Sequence, residues 1–492
     1  MDDGMAEGRG VKKGMPVLGD LGQLAQSMYI RTVPSYGNSF FFTIGVYLLE
    51  LFAILAVTGM IMLVFGPYWW DLTAAGTFLS SVHLWAAEAF VTLMLLHLFV
   101  NFSTSAFKRK KLIWAIGSVM LMLVLLQFAF GIGIAGGLLS QWNDKAGADL
   151  WNGLGLGYWV NPLNNGAVLG WHVAIVPLLL AALIFTHYSL VRKKGISRPY
   201  RKDIRYSMVT TDHGKMYRRM AYVLVIVLLF GAFLRVPYVP PLTIAEAAHS
   251  NPGSVAVTIL QEFNFSSGTA VYNNTIDPYT FNTRQVYVTV PYLELINVTH
   301  SRNYEAEFLA RNSSEQRALM AQAFAYFNGN GSVAGGANST NPLIVMTASL
   351  TGMAEQGLYQ SAVQDESASG LNYTYVIRFL SDSGALQGAA SEYGMRVSQF
   401  GMLSVGKQPW YIQYWLLPYN LLEISTRGIQ WWGDLENGVL ATVAFLALLS
   451  FPFIPYLNEL PDRLGLYKLF WNRFTIPEMR RKARRRDRRG GR

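Results

Sequence analysis

Six apolar segments, each near the roughly 20 residues needed to cross a bilayer, constrain this 492-residue chain more than anything else in it. They lie at about Phe40–Phe65, Leu79–Phe102, Leu112–Ala135, Leu169–Val191, Met220–Pro237 and Gly438–Tyr456. In lipid the backbone must satisfy its own hydrogen bonds, so each segment is expected to be a helix. Charged residues are 14% of the chain, against about 25% in a soluble domain. An ordinary soluble protein is thereby excluded. Aromatics at 14%, with 13 Trp, supply rings for two membrane–water interfaces. Met1–Gly19 has no apolar stretch behind its charges, so it does not read as a cleaved signal peptide.

Positive charge sets the expected orientation. Lys108–Lys111 follows the second segment, a run from Arg192 to Arg205 follows the fourth, and a basic tail, Arg480–Arg492, follows the sixth. All three fall on one side if both termini are cytoplasmic and six helices cross. The net charge of +10 is then a topology anchor on anionic lipid rather than a nucleic-acid surface. Cysteine is absent, which excludes disulfides, thiolate metal sites, cysteine-held iron–sulfur clusters and thioether-attached haem in this chain.

A polar stretch, about Thr243–Gln408, separates the fifth and sixth segments and falls outside in the same orientation. Asn-x-Ser/Thr acceptors cluster there at Asn264, Asn273, Asn297, Asn312, Asn330, Asn338 and Asn372, as expected of an exterior N-glycosylated domain. It reads as α+β, with strand-like runs at Val255–Leu260, Gln285–Val290 and Tyr373–Leu380 and a helical stretch at Tyr304–Phe327. Its scarcity of charge suits an acidic exterior.

Four of the seven histidines lie in the apolar segments: His83 and His97 on the second, His172 and His187 on the fourth. Polar groups in lipid are costly and usually functional. Steps of 14 and 15 residues leave each pair roughly on one face of its helix, ~21–22 Å apart along the axis. His83 and His172 then lie at the outer depth, His97 and His187 at the inner. Two imidazoles facing across a bundle suit the axial positions of a haem iron. Zinc is the rival, although no Cys, Asp or Glu stands beside either pair to complete a tetrahedral site. Gly45 and Gly59, and likewise Gly117 and Gly131, repeat the step of 14 on the intervening helices. Glycine permits backbone to approach a flat macrocycle closely. Its bland alternative is helix packing.

These residues resemble cytochrome b of the bc and b6f complexes, most closely cytochrome b6 fused to a second half like subunit IV. Ser81–Trp85 with His97 is similar to the family's second helix. His172–Pro177 through His187, with Arg192–Ser197 and Pro199, is similar to the fourth. Gln408-Pro409-Trp410-Tyr411 resembles the Pro-Glu-Trp-Tyr quinol-site motif, and Gly438–Leu440 with Phe451–Phe453 resembles the helix after it. The likeness covers roughly residues 30–242 and 408–460.

The resemblance implies a mainly α membrane protein in six parts. These are a cytoplasmic segment (1–39), a four-helix dihaem bundle with its cytoplasmic loop (40–218), a fifth helix (219–242), the extracellular insertion (243–407), the quinol motif with the sixth helix (408–460) and a basic cytoplasmic tail (461–492). It implies a quinol:acceptor oxidoreductase subunit holding two non-covalent b-type haems, with quinol bound beside Pro409, Trp410 and Tyr411. One electron would pass to a Rieske iron–sulfur protein and the other from the outer to the inner haem, with protons released outside and taken up inside. A terminal oxidase or small redox carrier would follow, in a homodimer within the cell membrane of a prokaryote, archaea included. The rival is a dihaem anchor for a dehydrogenase or hydrogenase. A glycosylated receptor leaves the histidines unexplained.

The sequence departs from the family in several places. Pro409 stands where the motif has a proton-accepting glutamate, and Leu84, Val100 and Asn101 stand where arginines would pair with haem propionates. No cysteine is present to tether a covalent haem, and Tyr467–Arg480 is too polar to be a last spanning helix. Glu50 and Glu88 lie within spans, Glu88 being expected at a subunit contact. Asp203, Asp212 and His213 lie in the basic loop, as solvated residues or proton donors to an inner quinone. His249 and His300 are expected at the surface.

Overall fold

The computed structural model describes residues 32–157, 159–199, 205–235, 238–272, 281–329, 332–364, 371–403, 413–426 and 434–471. The Gln408–Tyr411 motif, Asn273, Asn330, Asp203 and the basic tail lie outside them.

Among the described residues five helices are long and apolar enough to cross a membrane: Phe40–Phe65, Ala74–Ser103, Lys111–Gly133, Asn165–Lys194 and His213–Phe233. They match the first five apolar segments, and the fifth begins earlier than hydropathy alone suggests. Asp212 caps it, its carboxylate accepting the Lys215 amide at 2.9 Å, and His213 opens it. The sixth segment is shorter and bent. Asp434–Ser450 continues through a tight turn, and Thr442–Phe453 meets Leu457–Arg463 at 75°. Pro452 and Pro461 each withhold an amide from any continuous ladder there.

The first helix packs on the second, the second on the third and fifth, and the third on the fourth. Gly231 of the fifth lies so close to the second that a Cβ there would stand 2.5 Å from Val82 Cγ2. The sixth runs antiparallel to the third, with Trp114 Nε1 donating to Leu448 O at 2.9 Å. Its far side is fixed by Lys108 and Ser105, which both reach Asp462. The Lys108–Lys111 cluster and the turn after the sixth helix therefore share one end of the bundle, the basic end. At that end strand β1 (Thr32–Pro34) pairs antiparallel with β2 (Met208–Thr210), Val33 opposite Val209. Tyr36, Tyr467 and Trp471 close it with a buried aromatic cluster.

At the opposite end the inserted region is helical among its described residues, which corrects the α+β expectation. Val255–Leu260 lies in the helix Pro252–Phe263, Gln285–Thr289 is a π-turn leading into Val290–Thr299, and Thr374–Asp382 is a helix. Tyr304–Phe327 is helical as expected, broken into Tyr304–Leu309 and Ser313–Asn328. An asparagine precedes each misread run. Asn251, Asn282 and Asn372 accept the amides of Ser254, Gln285 and Thr374, starting a turn that β-branched content alone does not reveal. Pro342–Glu355 runs through the centre with most of its residues buried.

This region shares one hydrophobic core with the connection between the third and fourth spans. Leu138, Ala148 and Leu163 pack with Ile259, Tyr287, Leu343 and Phe379. Trp142 Nε1 donates to Met395 O at 3.1 Å, Arg378 pairs with Asp149 at 3.4 Å, and the Tyr373 amide donates to Leu163 O at 2.9 Å.

Candidate functional site

The second and fourth helices both run from the inserted region toward the basic end, so their histidines meet at two depths. The His83 and His172 ring centroids are 6.4 Å apart with an interplanar angle of 60°. Two imidazole–metal bonds of about 2.0–2.1 Å each, plus the ~1 Å from ring centre to nitrogen on both sides, span about 6 Å. The rings thus stand at the separation that one metal ion between them requires. Nearer the basic end, His97 and His187 are electrostatic neighbours.

Each glycine singled out in the sequence lies against one of the four imidazoles. A Cβ built at Gly59 would stand 3.2 Å from His83 Cε1, and one at Gly131 only 2.9 Å from His172 Cε1. At Gly117 the nearest atom is His187 Cε1 at 3.7 Å, and at Gly45 it is His97 Cε1 at 3.9 Å. The missing side chains make room for imidazole edges, so the glycine spacing echoes the histidine spacing for a steric reason.

Polar contacts fix the outer rings. The Thr58 hydroxyl donates to Ile54 O at 2.8 Å, so at 2.8 Å from His83 Nδ1 it accepts that nitrogen's hydrogen. His172 Nδ1 lies 3.0 Å from the Gln127 carbonyl oxygen, which can only accept. With both Nδ1 atoms donating, both Nε2 atoms carry the free lone pair that a metal needs.

His172 sits in a π-turn, Trp171–Ile175, within the fourth span. The Val176 amide reaches back five residues to Trp171 O, and the next amide in that register would be that of Pro177, which has none. Gln127 Nε2 fills the gap by donating to His172 O at 2.6 Å. Gln127 thus holds His172 through both its main chain and its side chain. The π-turn also takes up one extra residue. That explains why the fourth helix needs a step of 15 where the second needs 14.

Two further features surround these pairs. Lys110 lies at the basic end, where its charge acts on His187. Its ammonium donates to Gly195 O, and burial, with Lys194 and Arg198 adding repulsion, pushes its pKa down to about 8. Cations this crowded favour an anion, and in sequence they show only as parts of the basic runs. Glu88 is buried in the second helix at 4% exposure, with Oε2 accepting from Trp415 Nε1 at 2.9 Å. This corrects the expectation of a subunit contact, since the partner is in the same chain. Trp415 also packs edge-on against Phe128, and Tyr414 shares a hydrogen bond with Thr92.

Among the described acceptor asparagines, Asn264, Asn297, Asn312 and Asn338 are exposed and Asn372 is half-buried. The Asn312 and Asn372 side chains also serve as caps. An eighth such triplet, Asn101–Ser103, lies inside the second spanning helix, where Asn101 Nδ2 donates to His97 O. His249 and His300 are exposed.

Residues 88–245 match the family model described as cytochrome b (N-terminal)/b6/petB. Cytochrome b6 of Chlamydomonas reinhardtii is 27% identical over 204 residues, 36% of this chain and 92% of that protein. Cytochrome b6 of Heliomicrobium gestii is 26% identical over 208 residues, 36% of this chain and 95% of that protein. A chain of a hyperthermophilic respiratory complex III aligns at 18% identity and a TM-score of 0.38, covering 72% of this chain and 97% of that one.

Over residues 88–245 this chain is similar to the cytochrome b/b6 family. Its apolar helices are those of a multi-pass membrane protein, and the similarity supports a membrane electron-transfer subunit.

Proposed function

We propose that the chain is the quinol-oxidising cytochrome b of a Rieske-type complex, holding one haem between His83 and His172 and a second between His97 and His187. The carrying observation is the one-to-one seating of four glycines against four imidazoles, with the outer Nδ1 atoms already engaged. When bound, such haems take up and pass on one electron at a time, which makes a relay across the ~21 Å between the two depths. Thr58 and the Gln127 carbonyl hold the outer imidazoles in the ligating tautomer. Lys110, with Lys194 and Arg198, supplies positive charge for propionates at the inner site, where the family's arginines are missing.

In this reading quinol binds near Trp410 and Tyr411, on the side of the inserted region. One electron goes to a Rieske iron–sulfur protein and the other to the outer pair, with protons released outside. The basic end faces the cytoplasm, and the exposed asparagines Asn264, Asn297, Asn312 and Asn338 are accessible to a glycosyltransferase. The inserted domain interrupts the connection that leads into the quinol motif, and in this reading it shields the quinol site or docks the electron-accepting partner. A terminal oxidase or a small redox carrier, and a second copy of the chain, complete the assembly.

The test is a reduced-minus-oxidised visible spectrum with haem extraction and quinol-dependent reduction. Two extractable b-type haems per chain are expected, with one lost or altered on replacing either member of a pair by leucine. Two haems without quinol oxidation, in a preparation carrying a nickel or molybdenum subunit, would instead identify a dehydrogenase or hydrogenase anchor. No haem in folded protein would refute both.

A further inference from the structure

Oxidising a hydroquinone to a quinone releases two electrons and two protons, and within an apolar bundle the protons need a base on the protein. Pro409, in the segment expected to bind quinol, offers none. We infer that Glu88 takes the first of these protons. The assignment rests on the proposed quinol-oxidising function. Glu88 and Glu50 are the acidic residues of the five long apolar helices, and a carboxyl in such a place is functional by default. Glu88 lies five residues beyond His83, in the half of the second helix nearer the outer pair, whereas Glu50 lies five residues from Gly45, which faces His97.

The local geometry selects Glu88. One carboxyl oxygen, Oε2, is held by Trp415 Nε1 at 2.9 Å, while Oε1 is buried with no hydrogen-bond partner among the described residues. A buried carboxyl oxygen left bare costs free energy unless something else comes to it. Trp415 follows Tyr411 by four residues, so the indole ties Glu88 to the stretch of chain expected to bind quinol. Across the indole, Phe128 packs at 5.1 Å between ring centroids, and its neighbour Gln127 holds His172. The acid therefore stands on the helix that carries His83, bound to an indole four positions beyond the quinol motif in sequence. One proton forms the O–H bond at Glu88 Oε1 as the quinol O–H breaks. The two electrons would pass to the iron–sulfur protein and the outer haem of the proposed complex, and the second proton would pass from the other quinol oxygen to water on the outer side.

Glu88→Gln keeps an oxygen for Trp415 and loses the base. In the intact complex, checked for both haems, quinol-dependent reduction should fall about 100-fold, the lower end of what a positioned base contributes. Infrared difference spectra of the wild type should gain a deuterium-sensitive protonated-carboxyl band on quinol oxidation. Glu88→Gln should lack that band, Glu50→Gln should keep it, and Trp415→Phe should shift it by removing the donor to Oε2. A rate in Glu88→Gln within about threefold of wild type, or a band that survives there, overturns the assignment and leaves the proposed function standing. If Glu88→Gln fails to assemble, an unshifted band in Trp415→Phe is the overturning result. A wild type that does not oxidise quinol removes both.

Discussion

The four glycines do not leave equal room, and the difference is large enough to measure. At Gly131 an alanine Cβ would stand 2.9 Å from His172 Cε1, with Nδ1 at 3.5 Å and Nε2 at 3.6 Å. Ordinary contact begins near 3.4 Å, so the ring would have to retreat by about 0.5 Å. It has little freedom to do so, because Gln127 holds it at Nδ1 and at its own carbonyl. Overpacking a fixed site of this kind costs about 1–3 kcal/mol, or roughly 5- to 150-fold in affinity. Gly131→Ala should therefore weaken the outer haem by that factor and leave the inner one in place. At Gly59 the 3.2 Å approach calls for a smaller displacement, and the effect should be milder. Gly117→Ala and Gly45→Ala meet their imidazoles at 3.7 and 3.9 Å, so both haems should remain. Haem content after chromatography, with a redox titration to tell the two centres apart, gives the ranking. Full outer-haem occupancy with an unmoved potential in Gly131→Ala, together with loss of the inner haem in Gly45→Ala, would refute the steric account.

Glu262 in the inserted domain is fully buried, with Ser267 donating to it at 2.7 Å, and burial holds its carboxyl well above the usual range. The folded state binds this proton more tightly than the unfolded one, so stability is greatest below the ordinary Glu value of about 4.3 and falls as pH rises toward the folded-state value. Melting temperature should drop on alkalinisation, and Glu262→Gln should flatten that dependence; an unchanged slope would contradict it. Lys110→Met removes a cation from beside His187, which disfavours added negative charge there. The midpoint potential of the inner haem should move down while that of the outer haem holds, and redox titration checks both.

The membrane part was legible because hydropathy and helix length are enforced by lipid and depend little on context. The histidine pairs were legible for the same reason, since polar groups in a span stand out. The contacts that fix the outer rings were not. Thr58 and Gln127 are ordinary in sequence, and only the fold brings the first helix to His83 and the third to His172. The 15-residue step was visible, whereas the π-turn that absorbs it was not. In the inserted domain, β-branched runs such as Val255–Leu260 outweighed the Asn251-Pro252 pair ahead of them. Asparagine as cap and proline in the first turn are the stronger local evidence, and tertiary burial settled the remainder in favour of helix.

The core shared by the inserted domain and the 138–164 connection has a consequence for biogenesis. Trp142 and Met395 are 253 positions apart, yet one bonds the other. The connection between the third and fourth spans cannot complete its packing until most of the chain has been synthesised and delivered to that side. During synthesis the four-helix bundle is thus assembled with its far mouth unsealed. Until residue 395 arrives, the 138–164 connection therefore lacks part of the core that it shares in the finished chain.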